Sequence, residues 1–353
     1  MIYQPYPEGG VLMRSNKSVV IKVTLYLITL VVLVYVMVYM PTPYMINQPG
    51  LAEEIKPMVS IPAADPEEKG TFMLTTVSVS YANLAMLATA QFNRNAEIVR
   101  KEPDRNEEEY ETQQKYYMSS SQSSAIMAAY HLANIDYDIV PEYVFIVGLY
   151  KAVAPKGDFH PGDIIRKVDG QSIGKFEDLS ALMAEKKPGD QVSIQLERKN
   201  NTLDEQVELI DISENKDGSK AGLGVSIGEV RKVDPAVEDQ EVKFVDTRIG
   251  GPSAGLMFTL EIYNQLTPGD LSKGYRIAGT GTIAEDGTIG EIGGVQFKIV
   301  AAEKQHADIF FVPMNNYEVA KAKADQIGSK MKLVKVQTAQ EALEYLRQLD
   351  PKA

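Results

Sequence analysis

The hydrophobic pattern begins with one unbroken block. Residues 23–40 run for eighteen positions without a charged side chain. At the rise of an α-helix this block spans roughly 27 Å, close to the hydrocarbon thickness of a bilayer. Val19, Val20 and Ile21 extend it, provided Lys22 lays its stem along the apolar surface and reaches the interface. The pattern predicts a transmembrane signal anchor over 19–42 behind a tail of residues 1–18. A cleaved signal peptide is the competing reading. The block is longer than the usual apolar core of one, and Pro41-Thr42-Pro43-Tyr44 offers no small-x-small cleavage site.

Past Pro41 the rhythm changes. Residues 58–61 and 72–79 alternate in part and are rich in strand formers, with the acidic turn from Asp65 to Gly70 between them. Residues 82–100 are apolar at helical spacing and predict a helix. The stretch 101–114, dense in Glu, Asp and Asn, reads as a solvated loop or an exposed helix start, and 119–133 resumes a helical pattern. A different order follows: strand 144–149, a short strand ending in the turn Asp169-Gly170, a helix over 175–185, and a last strand over 192–198. Residues 213–221 form a polar linker. From Gly222 a β-rich stretch leads to 242–245. Residues 276–288 predict a glycine-turn hairpin, 309–312 a strand, and 299–305, 317–327 and 339–349 helices. The fold class is α+β.

Charge narrows the function. Formal net charge is −12, which argues against nucleic acid as partner because phosphate requires a basic face. Arg14, Lys17 and Lys22 precede the apolar block, and the next basic residue, Lys56, follows Glu53 and Glu54. This bias places the N-terminus in the cytoplasm and the bulk of the chain outside the cell membrane. Cysteine is absent, so neither a disulfide framework nor a cysteine nucleophile or thiolate metal site is available. No metal or cofactor is expected.

The candidate chemistry centres on Gly250-Gly251-Pro252-Ser253-Ala254-Gly255, which runs into an apolar helical stretch. A turn of this kind can lift a hydroxyl out as a nucleophile, and it can equally be a glycine turn with a capping serine. A histidine base is poorly served. Of the three histidines, His160 lies in a turn, His131 ends a helix, and His306 sits among charges. Lys298 stands apart from the other lysines, within the apolar run Gln296-Phe297-Lys298-Ile299-Val300-Ala301. Burial there would lower its pKa towards the range a general base needs, whereas a stem reaching to water would leave it an ordinary surface lysine.

Two resemblances extend this reading. Pro161-Gly162-Asp163-Ile164-Ile165, Val168-Asp169-Gly170 and Pro188-Gly189-Asp190 resemble a PDZ domain of the bacterial protease type, which implies peptide binding by strand addition. Its carboxylate-binding loop would fall near Pro141-Glu142-Tyr143, which departs from the glycine-rich form. Gly251-Pro252-Ser253-Ala254-Gly255, Thr280-Gly281 and Ile292-Gly293-Gly294 followed by Lys298 resemble the proteolytic domain of Lon-family serine proteases. That resemblance implies Ser253 as nucleophile, Lys298 as general base, and Thr280 as the hydroxyl supporting the lysine. The segment 70–75 and the helix after it resemble the start of the same domain. The PDZ domain is therefore expected within the proteolytic domain or before it, as 46–135 (N-terminal protease part), 136–205 (PDZ) and 206–353 (Lon-like). Where the family often has an acidic residue before Gly-Pro-Ser, this chain has Gly250. No Gly-x-x-x-x-Gly-Lys-Ser/Thr phosphate loop occurs, so the family's ATPase is missing. Over its length the chain resembles bacterial membrane-anchored, PDZ-containing Lon-like proteases. The implied activity is an ATP-independent endopeptidase acting outside the membrane on peptides or flexible segments. A PDZ scaffold or quality-control adaptor with an inactive protease domain is the alternative. Lon relatives form rings, which makes a homo-oligomer a further expectation.

Overall fold

The computed structural model describes residues 17–65, 69–101, 106–150, 153–213, 220–245 and 249–352. Most of the tail 1–18, the centre of the polar linker and the tip of the acidic turn lie outside the described residues. Eight helices are described: α1 Lys17–Tyr39, α2 Leu84–Ala90, α3 Glu107–Ala133, α4 Phe176–Ala184, α5 Gly255–Leu266, α6 Val295–Lys304, α7 Tyr317–Ile327 and α8 Ala339–Arg347. They fall into two compact units, residues 1–47 with 79–101, and residues 48–78 with 102–353.

The first unit contains α1, long and apolar enough to cross a membrane and with none of its span buried in protein. It stops short of the expected 42 because Pro41 and Pro43 cannot continue a helix, and the strand Pro41–Glu54 starts there instead. The helix expected over 82–100 is confined to α2. Asn83 caps it by accepting from the Met86 amide, and Asn93 takes the Asn95 amide in a local turn. Such side-chain bonds offer the backbone an alternative to helix. Glu97–Arg100 then becomes a strand, antiparallel to Tyr44–Asn47.

The second unit is built on strands that run parallel. Arg276–Gly279 lies between Thr71–Leu74 of the strand Thr71–Asn83 and Ile309–Phe311 of Ile309–Pro313, and the latter pairs in turn with Lys332–Val336. Arg276–Gly279 is thus not an arm of the expected hairpin. Its Ile277 and Ala278 are wholly buried, as a central parallel strand demands. The hairpin pairs Thr282–Ile283 with Ile289–Gly290. Helix α3 is continuous from its Asn106 cap through the acidic stretch, and α5 is buried along nearly its whole length, which explains its lack of a polar face. Both belong to one apolar core with Phe72, Leu74, Phe311 and Leu343.

A second core gathers Val144, Ile165, Leu179, Val192, Leu196, Val207, Leu223 and Val225. Its sheet has the order Val225–Pro235, Tyr137–Leu149, Ile164–Val168, Gln191–Arg198, Asn201–Glu208. The strand Asn201–Glu208 follows the one expected to be last. Asp169 and Gly170 both take positive φ, as a tight hairpin turn requires. Asp163 is fully buried and held by Arg198, which donates from Nε at 2.7 Å and from Nη2 at 2.8 Å. Because Thr71–Leu74 precedes this core in sequence and pairs with Arg276–Gly279 after it, the core is an insertion in the larger domain.

Candidate active site

Ser253 sits on the turn that opens α5. The two glycines before it exist for α3: a Cβ at Gly250 would meet Gln114 Cβ at 2.9 Å, and Gly251 takes φ +88° while donating its N–H to the Gln114 carbonyl at 3.0 Å. The space that an acidic side chain would need at 250 is therefore filled by α3. Ser121 of α3 donates to the Pro252 carbonyl at 2.9 Å. Gly255 completes the close approach, since a Cβ there would meet Ile283 Cγ2 at 2.5 Å and Ser121 Oγ at 2.9 Å. The serine is half-buried, on a turn held from both sides.

Lys298 comes from the first turns of α6, entered through Gly294 in the left-handed region. Only 3% of the residue is exposed. Its Nζ lies 2.8 Å from Ser253 Oγ, 2.8 Å from the Thr75 carbonyl and 3.0 Å from Thr280 Oγ1. Burial penalises the ammonium form and lowers its pKa from 10.5 to about 7. Its stem does not run out to water. The lysine lies inside the parallel sheet's helical layer.

The hydrogen bonds around Nζ assign its protons. The Thr75 carbonyl can only accept. The Thr280 hydroxyl donates its own proton to the Ser253 carbonyl at 2.9 Å, so towards Lys298 it too can only accept. A neutral amine has two N–H groups, and both are taken. The lone pair is left facing Ser253 Oγ. Thr75 is itself anchored, its hydroxyl donating to the Gly279 carbonyl at 3.0 Å, and the Ser253 carbonyl also accepts from the Gly281 N–H at 2.9 Å. Ser253, Thr280 and Lys298 are thus brought together from a turn, a strand end and a helix.

His131, His160 and His306 stand apart: His160 bonds Asp158 in the smaller domain, and His131 and His306 are exposed at helix ends. Pro252 has no N–H, the Gly251 N–H is used by Gln114, and that of Gly255 is directed at the Pro252 carbonyl at 3.4 Å. Among the described residues, the N–H groups of Ser253 and Ala254 have no backbone acceptor. Thr75 was not singled out in the sequence. A carbonyl has no residue signature, so nothing in the pattern pointed to it.

In the smaller domain, Pro141, Glu142 and Tyr143 lie inside the strand Tyr137–Leu149, where Pro141 pairs with Arg231 beside a bulge, so no loop occurs there. The glycine-bearing turn is Gly222-Leu223-Gly224-Val225, with Gly224 at φ +76°. It opens the edge strand Val225–Pro235. A groove of about 400 Å³ between that strand and α4 is lined by Tyr150, Phe176, Leu179, Met183, Leu223 and Ile227. The signal that would have found it is the Gly-Leu-Gly-Val string itself.

Comparison with known families matches residues 141–209 to the PDZ domain and residues 246–348 to the Lon protease (S16) C-terminal proteolytic domain. None of the curated proteins compared matches the chain. Among solved structures, the PDZ domain of an SdrC-like protein from Listeria monocytogenes is 24% identical, with 24% of this chain and 87% of its own covered and a TM-score of 0.22. The PDZ domain of the SdrC-like protein from Listeria innocua is 29% identical, with 24% and 93% covered and a TM-score of 0.22. A solution structure from Geobacillus thermodenitrificans is 24% identical, with 24% and 95% covered and a TM-score of 0.21. The chain carries a PDZ domain followed by a proteolytic domain of the Lon (S16) serine-protease family.

Proposed function

We propose that this protein is an ATP-independent serine endopeptidase with a Ser253–Lys298 dyad, anchored by α1 with its catalytic domain outside the cytoplasm. The observation that carries the reading is a buried lysine whose Nζ lies 2.8 Å from the hydroxyl of a half-buried serine. Neutral Lys298 takes the Ser253 proton as Oγ attacks the scissile carbonyl carbon. The carbonyl π bond opens to an oxyanion, and the Ser253 and Ala254 N–H groups are the donors available to it. Collapse of this intermediate breaks the C–N bond, and Lys298 returns its proton to the departing amine. Water then adds to the acyl-enzyme, giving a proton to Lys298, and Ser253 Oγ leaves with that proton. The substrates of such an ATP-independent enzyme are peptides, flexible tails or exposed loops.

The test is cleavage of a peptide library by the full chain in detergent or nanodiscs, with and without ATP. Equal turnover supports the proposal. Absence of turnover under both conditions favours the scaffold or adaptor reading. Thr280→Val should lower kcat by roughly 10- to 100-fold and leave KM nearly unchanged, because it removes one of two acceptors that orient the amine. Thr280→Ser should recover most of the loss in the same assay.

The PDZ groove is assigned to an extended peptide that pairs with the edge strand Val225–Pro235, its apolar side chains against Leu179 and Met183. Met183→Asp should weaken binding of a captured peptide at least about tenfold by fluorescence anisotropy. Cleavage of a short peptide that bypasses the groove should be unaffected.

A further inference from the structure

The outer end of α1 is ringed by aromatic side chains. Tyr35 and Tyr39 stack at 4.9 Å between centroids and are 62% and 69% exposed. Tyr44 and Tyr81 are also exposed, and the Lys101 ammonium lies 4.9 Å from the Tyr81 ring centroid. Such a belt is the pattern of side chains at the headgroup level of a bilayer. Asn83 connects α2 to this level. Its Nδ2 donates to the Val38 carbonyl in the last turn of α1 at 2.8 Å, while its Oδ1 caps α2 through the Met86 amide at 2.8 Å. Helix α2 therefore starts beside the end of the span, and it packs against α1.

The composition of α2 is that of a core helix, Leu84-Ala85-Met86-Leu87-Ala88-Thr89-Ala90, yet none of its residues is buried. Leu84, Ala88 and Phe92 are exposed at a spacing of four, and Phe92, on the turn after the helix, is 89% exposed. An apolar stripe in water is costly. Seven helical residues extend roughly 10 Å, so Phe92 stays within about one interfacial thickness of the α1 terminus. Arg94, Arg100 and Lys101 follow on the same segment, with Glu97 as its acidic residue.

We infer that α2 and the Phe92 turn lie in the headgroup and upper acyl region of the bilayer, a second membrane contact made by the same unit as α1. Its partner is a phospholipid bilayer, and the exposed Arg94 and Arg100 suit anionic headgroups. The inference rests on reading α1 as a membrane span, and the experiment separates the two. The chain contains no tryptophan, so one introduced residue is the sole indole emitter. Full-length Phe92→Trp and, separately, Val32→Trp are reconstituted into phosphatidylcholine–phosphatidylglycerol vesicles with or without brominated acyl chains. Quenching of both, with a blue-shifted Phe92→Trp emission, supports the inference. Quenching of Val32→Trp alone, with red-shifted emission from Phe92→Trp, overturns it and leaves the anchor standing. Blue-shifted Phe92→Trp emission that bromine does not quench and that shifts red on dilution overturns it in favour of a second copy of the chain. If Val32→Trp is not quenched, the span itself fails and the inference falls with it.

Discussion

Ser253→Ala is expected to lower kcat for peptide cleavage at least about ten-thousand-fold while leaving the fold intact. The hydroxyl is the atom that would form the acyl bond, and among the described residues it is the third contact of Lys298 Nζ, beside the Thr75 carbonyl and Thr280 Oγ1. The substitution leaves the backbone bonds of the turn in place. The Ser253 carbonyl still accepts from Gly281 N–H and Thr280 Oγ1, and Pro252 stays tied to Ser121. Stability should therefore change by less than about 1 kcal/mol. Turnover of a fluorogenic peptide by the full chain in detergent, together with thermal unfolding of the same preparation, checks both halves. Full activity in a properly folded variant would remove Ser253 from the mechanism.

Lys298→Met should be equally inactive, and it carries a second expectation in its stability. The native pKa of Lys298 is lowered from 10.5 to about 7, so between these values the unfolded chain binds a proton that the native state does not. Stability then rises with pH from about 7 to about 10.5, and the full penalty is present below about 7. The displacement corresponds to roughly 5 kcal/mol. In a Ser253→Ala background, adding Lys298→Met should flatten this pH dependence and raise stability at pH 7. The gain is offset in part by the Thr75 carbonyl, which loses its donor at a cost of about 1–3 kcal/mol. For the active chain, kcat/KM should fall as pH drops through about 7, because only the neutral amine can accept the serine proton. A rate that is flat between pH 5.5 and pH 8.5 would remove Lys298 as the base.

Local patterns were enough for α1, the C-terminal helices and the turns of the smaller domain. Each is marked by an unbroken apolar block, by helical spacing, or by Pro-Gly-Asp and Asp-Gly turns whose backbone angles few residues adopt. Local patterns failed at residues 82–100 and at Arg276–Gly279. In the first, a run of apolar residues suits a helix as well as a strand, and the choice fell to Asn83, Asn93 and pairing with Tyr44–Asn47. In the second, a glycine-bearing segment read as a hairpin is a central parallel strand, because its partners, Thr71–Leu74 and Ile309–Phe311, are distant in the chain. Strand partners over such separations leave no mark in a short window.

The sequence by itself determined that Ser253 opens an apolar helix, that Lys298 lies in an apolar run, and that Thr280 falls between them. Family resemblance implied roles for them. Only the tertiary structure decided where the lysine amine points. From the sequence, an apolar neighbourhood left two outcomes open, a stem reaching to water and an ammonium forced towards neutrality. The parallel sheet brings the Thr75 carbonyl, 223 positions away in sequence, to 2.8 Å from Nζ, and Thr280 turns its proton to Ser253. In the neutral amine those two acceptors would take both N–H groups and leave the lone pair towards the hydroxyl. Hydrogen-bond direction is a property of atoms in space, and no spacing along the chain encodes it.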